Sequence, residues 1–212
     1  MIVKIVCAGL DHFSKLYKPD EGEYLIGVDA GVDTLIKNRL RVDLAIGDFD
    51  SSKTKDLQKK CKKVVSYDSH KDQSDLELTL QYLSLNYSKI DYLANKVIDN
   101  IYVYNATGKR LDHYHATINV LIKYTHLNIK LIDKNNLIYI VNSKTEFKKH
   151  GYKYISFFSV DENTVISLKG FKYNLNNYQL KNYDSICLSN EIVEEKGILE
   201  TNNKKILVIQ SN

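Results

Sequence analysis

Up to about Tyr124, short continuous apolar runs alternate with stretches whose apolar residues fall three and four apart. That is the rhythm of strand, helix, strand, helix. The strand candidates are Met1 to Cys7, Tyr24 to Val28, Leu44 to Ile46, Val64-Val65 and Ile101 to Tyr104. Val32, Leu35, Ile36 and Leu40 stand at helical spacing, and Lys53 to Lys62 reads as a polar surface helix. Ser74-Asp75-Leu76-Glu77 has the form of a capping box. The helix it opens carries Leu76, Leu80, Leu83 and Tyr87 on one face. Ser88 to Asn100 has no clear period and reads as continued helix or loop. The turn Asn105-Ala106-Thr107-Gly108 leads into a helix with Leu111, Ile118, Leu121 and Ile122 inward. Strands alternating with helices predict a parallel sheet with helices on its faces.

After Asn128 the rhythm changes. Short β-type runs (Ile129–Ile132, Leu137–Val141, Tyr154–Val160, Thr164–Leu168, Ser185–Leu188, Ile206–Ile209) are separated by turns such as Asp133–Asn136, Asn174–Asn177 and Asn202-Asn203. Such spacing predicts an antiparallel sandwich or barrel. The fold class is therefore an N-terminal parallel-sheet α/β domain, residues 1–127, followed by a C-terminal antiparallel β domain, residues 128–212.

Composition narrows the function classes. Hydrophobic residues make up 43% of the chain and charged residues 26%, as in an ordinary globular protein. The formal charge of +4 is slight and the lysines are scattered among acids, so no dedicated nucleic-acid partner is expected. No apolar run is long enough to span a membrane, and M-I-V-K-I-V-C-A-G-L enters a strand directly, so no signal peptide is expected. The cysteines, Cys7, Cys61 and Cys187, are far apart and odd in number, which points to a reducing cytoplasm.

The candidate chemistry lies where apolar runs stop. The run Leu44-Ala45-Ile46 breaks at Gly47 into Asp48-Phe49-Asp50. Extended backbone would place both carboxylates on one face and the Phe49 ring on the other. Like charges that close repel unless a cation lies between them, and hard oxygen ligands suit Mg²⁺. The alternative is an acidic turn, with Ser51 or Ser52 capping the next helix.

Polar residues directly follow an apolar run in four segments: Asp29 to Asp33, Asp48 to Ser51, Asp72 to Asp75, and Gly108 to Asp112. In an open parallel sheet all four would lie along one edge, where ligands bind. Asp29, Asp48, Asp50, Asp72, Asp75 and Asp112 would then share a crevice, tolerable only with cations. Arg110 is the natural cation, its planar fork suited to phosphate. Gly108 permits close approach, and the next helix offers free N–H groups. These are the parts that position a polyphosphate. Taken singly, Ser74 caps a helix, Asp75 favours its dipole, and Arg110 pairs with Asp112. His113 and His115 point in different directions at a helix start and read as surface or packing residues.

As an ordered set, these residues resemble the thiamin pyrophosphokinase family. The resemblance rests on Asp29-Ala30-Gly31, Gly47-Asp48-Phe49-Asp50-Ser51, Asp72-Gln73-Ser74-Asp75, Gly108-Lys109-Arg110-Leu111-Asp112-His113 and Ser189-Asn190-Glu191. It implies an α/β domain followed by a β-sandwich, working as a homodimer with shared active sites. It also implies Mg²⁺-dependent transfer of the β,γ-pyrophosphoryl group of ATP to the thiamin hydroxyl, releasing AMP. The catalytic residues would be Asp48, Asp50, Asp75, Arg110 and Asp112, with Mg²⁺ on Asp48, Asp50 and Asp75. ATP would meet Asp29, Ser51, Asp72, Gln73, Ser74, Gly108 and Arg110, and thiamin would meet Ser189 and Asn190. Ala30 and Lys109 replace frequent glycines, and Asp184 to Leu188 lacks the glycine or extra serine often found there.

Two other readings stay open at this level. An aspartyl-nucleophile phosphatase of the haloacid dehalogenase type would use Asp48 as nucleophile and Asp50 as acid and base. A non-catalytic module would bind thiamin or nucleotide without turnover.

Overall fold

A computed structural model describes residues 1–68, 72–86, 96–108, 110–149 and 151–212. Tyr87, the stretch 88–95 and Lys109 lie outside the described residues, and with them most of the segment expected to be helix or loop before Asn100. The chain divides into two compact units, Met1–Lys134 and Asn135–Asn212.

The first unit is built on parallel strands β1 (Ile2–Val6), β2 (Tyr24–Val28), β3 (Leu44–Gly47), β4 (Val64–Ser66), β5 (Asn100–Tyr104) and β6 (Ile129–Ile132). Their order is β4-β3-β2-β1-β5-β6, so the winding reverses between β1 and β5. Every residue of β2 and β3 is buried, as the continuous runs of a doubly covered parallel sheet require. The helices are α1 (Phe13–Leu16), α2 (Gly31–Lys37), α3 (Leu57–Lys60), α4 (Asp75–Asn86) and α5 (Leu111–Lys123). Phe13, Val32 and Leu35 form one cluster with Val6, Leu25, Ala45 and Tyr104 of the sheet. The Glu77 N–H donates to Ser74 Oγ at 3.2 Å, half of the predicted capping box, and Leu76, Leu80 and Leu83 are buried beneath it.

Lys4 of β1 is only 1% exposed. Its ammonium is held by Glu23 at 2.6 Å and Asp20 at 2.7 Å, while the Tyr17 hydroxyl donates to Glu23 at 2.5 Å. The charge is tolerated in the sheet because it is fully paired.

Several local expectations are corrected. The helix expected over Lys53 to Lys62 is limited to Leu57–Lys60. Asp33 takes the N–H groups of Lys53 and Thr54 at 2.8 and 3.0 Å, and Asp56 is left-handed at φ 56°, so helix cannot begin earlier. Leu111 is 77% exposed; α5 buries Leu121 as expected, together with Thr117 and Val120. β6 pairs in parallel with β5, Ile101 opposite Ile129, so it belongs to the first unit and the division falls after Lys134 rather than at residue 127.

The second unit holds two antiparallel sheets. One has the order β7-β13-β9, with β7 (Asn136–Val141), β9 (Tyr154–Ser159) and β13 (Ile206–Ser211). The other runs β11-β10-β12-β8, with β8 (Thr145–Lys148), β10 (Thr164–Lys169), β11 (Leu175–Leu180) and β12 (Lys196–Thr201). Phe157 and Val208 from the first sheet and Phe147, Ile166 and Leu199 from the second share one core, which makes the unit a sandwich. Phe157 and Phe171 meet edge to face at 5.5 Å. Ser185–Leu188 is a turn rather than a strand: the Leu188 N–H closes on the Ser185 carbonyl at 3.0 Å, and Cys187 is buried as a core residue.

Candidate active site

The site starts from two loops pressed together at the carboxyl ends of β2 and β3. Asp29 follows β2 in a left-handed conformation, φ 50°, and its N–H donates to the Ile46 carbonyl at 2.9 Å. Gly31 must be glycine, since a Cβ there would lie 1.8 Å from the Val6 carbonyl oxygen. Gly47 has φ 149°, and a Cβ would sit 3.1 Å from Asp29 backbone. Phe49 is also left-handed, φ 59°. The Asp48-to-Asp50 segment is thus a strained turn rather than the extended strand expected, and Phe49 still packs on the Val32–Leu35 cluster.

This geometry gathers Asp29, Asp48 and Asp50, whose ligand oxygens all lie within 4.8 Å of one another. Asp29 Oδ2 accepts from Ser51 Oγ at 2.5 Å, whereas Oδ1 is buried with no hydrogen-bond partner. Burial pushes the Asp29 carboxyl above its ordinary range; the Ser51 hydroxyl opposes that shift, and the charges of Asp75 and Asp48 reinforce it. An orphaned carboxylate oxygen beside two further carboxylates is a donor set that fits a hard divalent cation such as Mg²⁺. Asp29 stands beside Asp48 and Asp50 as the family resemblance implies, and Asp75, the third metal ligand it implies, is not among these three.

Next to the trio is a cavity of about 670 Å³. Its lining comes from the ends of β1 and β5 (Cys7 to Leu10, Asn105 to Thr107), from Asp29, and from Asp72-Gln73-Ser74-Asp75 at the start of α4. Arg110 and His113 close it from α5; His113 is exposed, as expected, at the cavity's rim. The Cys7 thiol is pushed up to about 12 by burial and by Asp75, which leaves it an inert packing group.

Arg110 makes a bidentate pair with Asp112, Nε to Oδ1 at 3.2 Å and Nη2 to Oδ2 at 2.6 Å, both side chains exposed. The pair holds the Asp112 carboxyl down at about 2. Asp112 thus occupies the Nε–Nη2 edge of the Arg110 guanidinium. Gly108, with φ 131°, sits over Leu10, whose side chain would be 2.9 Å from an added Cβ.

Ser189 and Asn190 lie in the second unit and differ in kind. Ser189 is exposed and left-handed, φ 54°, its N–H donating to Ser156 Oγ at 2.9 Å. Asn190 is 1% exposed. Its amide accepts from the N–H groups of Tyr173 and Glu191 at 3.0 Å each and donates to the Tyr173 carbonyl at 2.8 Å. Asn190 thus fixes the turn that Ser189 presents. Sequence reasoning passed over Asn105 and Thr107, although both follow an apolar strand as the other site segments do.

Residues 18–132 match the family described as thiamin pyrophosphokinase, catalytic domain. Residues 141–206 match thiamin pyrophosphokinase, vitamin B1 binding domain. Thiamine pyrophosphokinase of Bacillus subtilis is 33% identical over 201 residues, covering 91% of this chain and 89% of the relative. A crystal structure of thiamine pyrophosphokinase from Bacillus subtilis superposes with a TM-score of 0.83 at 30% identity, covering 100% of this chain and 99% of that one. For thiamin pyrophosphokinase from Geobacillus thermodenitrificans the TM-score is 0.82 at 28% identity, with 100% and 98% covered. Neither the phosphatase nor the non-catalytic module finds support in these matches. Sequence, fold and both matched regions agree: the chain belongs to the thiamin pyrophosphokinase family, and its reaction is transfer of the pyrophosphoryl group of ATP to the thiamin hydroxyl, giving thiamin diphosphate and AMP.

Proposed function

We propose that this transfer takes place at the carboxyl ends of β2, β3 and β5, with Mg²⁺ on Asp29, Asp48 and Asp50 and ATP in the adjoining cavity. The observation that carries the reading is the buried, unpartnered Asp29 Oδ1 beside two more carboxylates. When bound, the ion neutralises phosphate oxygens and steadies the charge that develops during transfer. Asp75, close enough to act on Asp29 electrostatically, adds a fourth carboxylate for the ion or its water shell. Asp72, Gln73, Ser74 and Gly108 shape the phosphate path, Ser51 orients Asp29, and Arg110 moves from Asp112 onto phosphate. The new bond joins the thiamin oxygen to the β-phosphorus, and the bridging oxygen leaves with AMP.

Ser189 contacts thiamin, and Asn190 serves it indirectly by holding the Tyr173 backbone. Exposed Tyr173, Ile186, Leu188 and Val193 flank that turn, which supports a homodimer in which one chain's acids face the partner's turn. Three free cysteines support a cytoplasmic home. Incubation with ATP and thiamin, with Mg²⁺ or with chelator, tests the metal assignment. AMP and thiamin diphosphate should form one to one with Mg²⁺ and cease with chelator. ADP, phosphate without acceptor, or turnover indifferent to chelator would each contradict it.

A further inference from the structure

Asp29 and Asp33 leave β2 on the same segment, and between them they hold the loop that follows β3. Asp29 Oδ2 takes the Ser51 hydroxyl at 2.5 Å. Asp33, in the first turn of α2, takes the three residues after it. Its Oδ1 accepts from Ser52 Oγ at 3.1 Å, from the Thr54 N–H at 3.0 Å and from Thr54 Oγ1 at 2.5 Å. Its Oδ2 accepts from the Lys53 N–H at 2.8 Å. Burial opposes the charge, but the Thr54 hydroxyl and the Lys53 N–H hold the Asp33 carboxyl below its ordinary range. Both oxygens thus carry protein donors, and Asp33 is not one of the three carboxylates gathered as for an ion.

Carboxylates held within 4.8 Å of one another repel until a cation arrives. The Asp48-to-Asp50 turn also carries left-handed Phe49, so its shape depends on support from outside. At its near end the Asp29 N–H donates to the Ile46 carbonyl, and at its far end stand the bonds to Asp33. We propose that Asp33 is a positioning residue of the metal site, clamping Ser52 to Thr54 onto α2 so that Asp48 and Asp50 stay against Asp29. The proposal rests on the carboxylate trio being the site of Mg²⁺. A turn ordered in advance need not be drawn in by the ion, and the difference appears as metal affinity. An amide cannot replace the carboxylate here. Asparagine has one acceptor oxygen, so its NH₂ would face either the Lys53 N–H or the donors gathered on Oδ1.

Two variants separate clamping from charge. Asp33→Asn loses both the clamp and a negative charge, whereas Ser52→Ala combined with Thr54→Val removes two hydroxyl donors and leaves Asp33 charged. Mn²⁺, which suits the same oxygen ligands as Mg²⁺, measures binding without turnover through the electron paramagnetic resonance of the free ion. Asp33→Asn should weaken Mn²⁺ about tenfold, and the double variant at least about threefold. The Mg²⁺ concentration for half-maximal turnover should rise by the same factors, while kcat at saturating Mg²⁺ and the KM for thiamin stay within about twofold of wild type. Mn²⁺ affinity within about twofold of wild type in both variants would overturn the proposal. So would a loss confined to Asp33→Asn, the mark of a remote charge, or a fall in kcat that saturating Mg²⁺ does not restore, the mark of a general structural lesion. Unaltered Mn²⁺ binding in Asp48→Asn would instead remove the metal-site reading, and the proposal with it.

Discussion

A lysine in the middle of a buried strand, Lys4, and a bidentate pair on the surface, Arg110 with Asp112, show how differently single charges act here. Lys4 is enclosed with Glu23. Lys4→Met matches its shape but leaves the buried Glu23 without a counter-charge, held only by the Tyr17 hydroxyl and the Asp20 N–H, and chemical denaturation should show a loss of about 3–5 kcal/mol. A loss under about 1 kcal/mol would mean that the pair is dispensable. Asp112 is fully exposed, so its pairing is read by titration rather than by stability. Its folded value of about 2 is below the ordinary carboxylate value near 4, so whatever the pair contributes is present above about pH 4 and lost as pH falls through about 2. Carboxyl NMR should place the midpoint near 2, returning to about 4 in Arg110→Ala. An unmoved midpoint would detach Asp112 from Arg110. The Asp112 pairing was legible from sequence as one of two readings; the Lys4 enclosure was not, because its partners come from a loop nineteen residues on.

At the scale of elements, runs that are apolar throughout were readable and polar strands were not. β2 and β3 announce themselves because both faces are buried. β11, Leu175–Leu180, reads as an asparagine turn because one edge of it is solvent-facing and pairing with β10 overrides propensity. The opposite error, Ser185–Leu188, has apolar residues that serve a turn and a single core contact through Cys187. The site segments follow their strands as expected, yet the backbone of one was not legible: left-handed Phe49 makes Asp48 to Asp50 a turn rather than extended chain. Asn190 is the clearest case of a motif residue acting through its element. Asn190→Ala strands the Tyr173 N–H and carbonyl, so thermal melting should show a loss of about 1–3 kcal/mol together with a raised KM for thiamin. Normal stability with raised KM would make Asn190 a direct ligand contact instead.

At the scale of the whole molecule, the described residues place an acid trio in the α/β unit and none in the sandwich, and the dimer proposal joins the two across chains. Asp48→Asn and Asn190→Ala can be mixed, unfolded and refolded together, and assayed at a thiamin concentration low enough that the raised KM of Asn190→Ala leaves it nearly idle alone. Random pairing makes about half the dimers mixed, with one intact site in each, so activity should return to roughly a quarter of wild type. No recovery in demonstrated mixed dimers would confine each site to one chain. The most direct test of the central claim is the turnover of Asp48→Asn at saturating Mg²⁺, measured as AMP and thiamin diphosphate by phosphorus NMR on protein shown to melt as wild type does. The carboxylate trio predicts a fall of at least roughly a hundredfold in kcat. Turnover within a few-fold of wild type would contradict it.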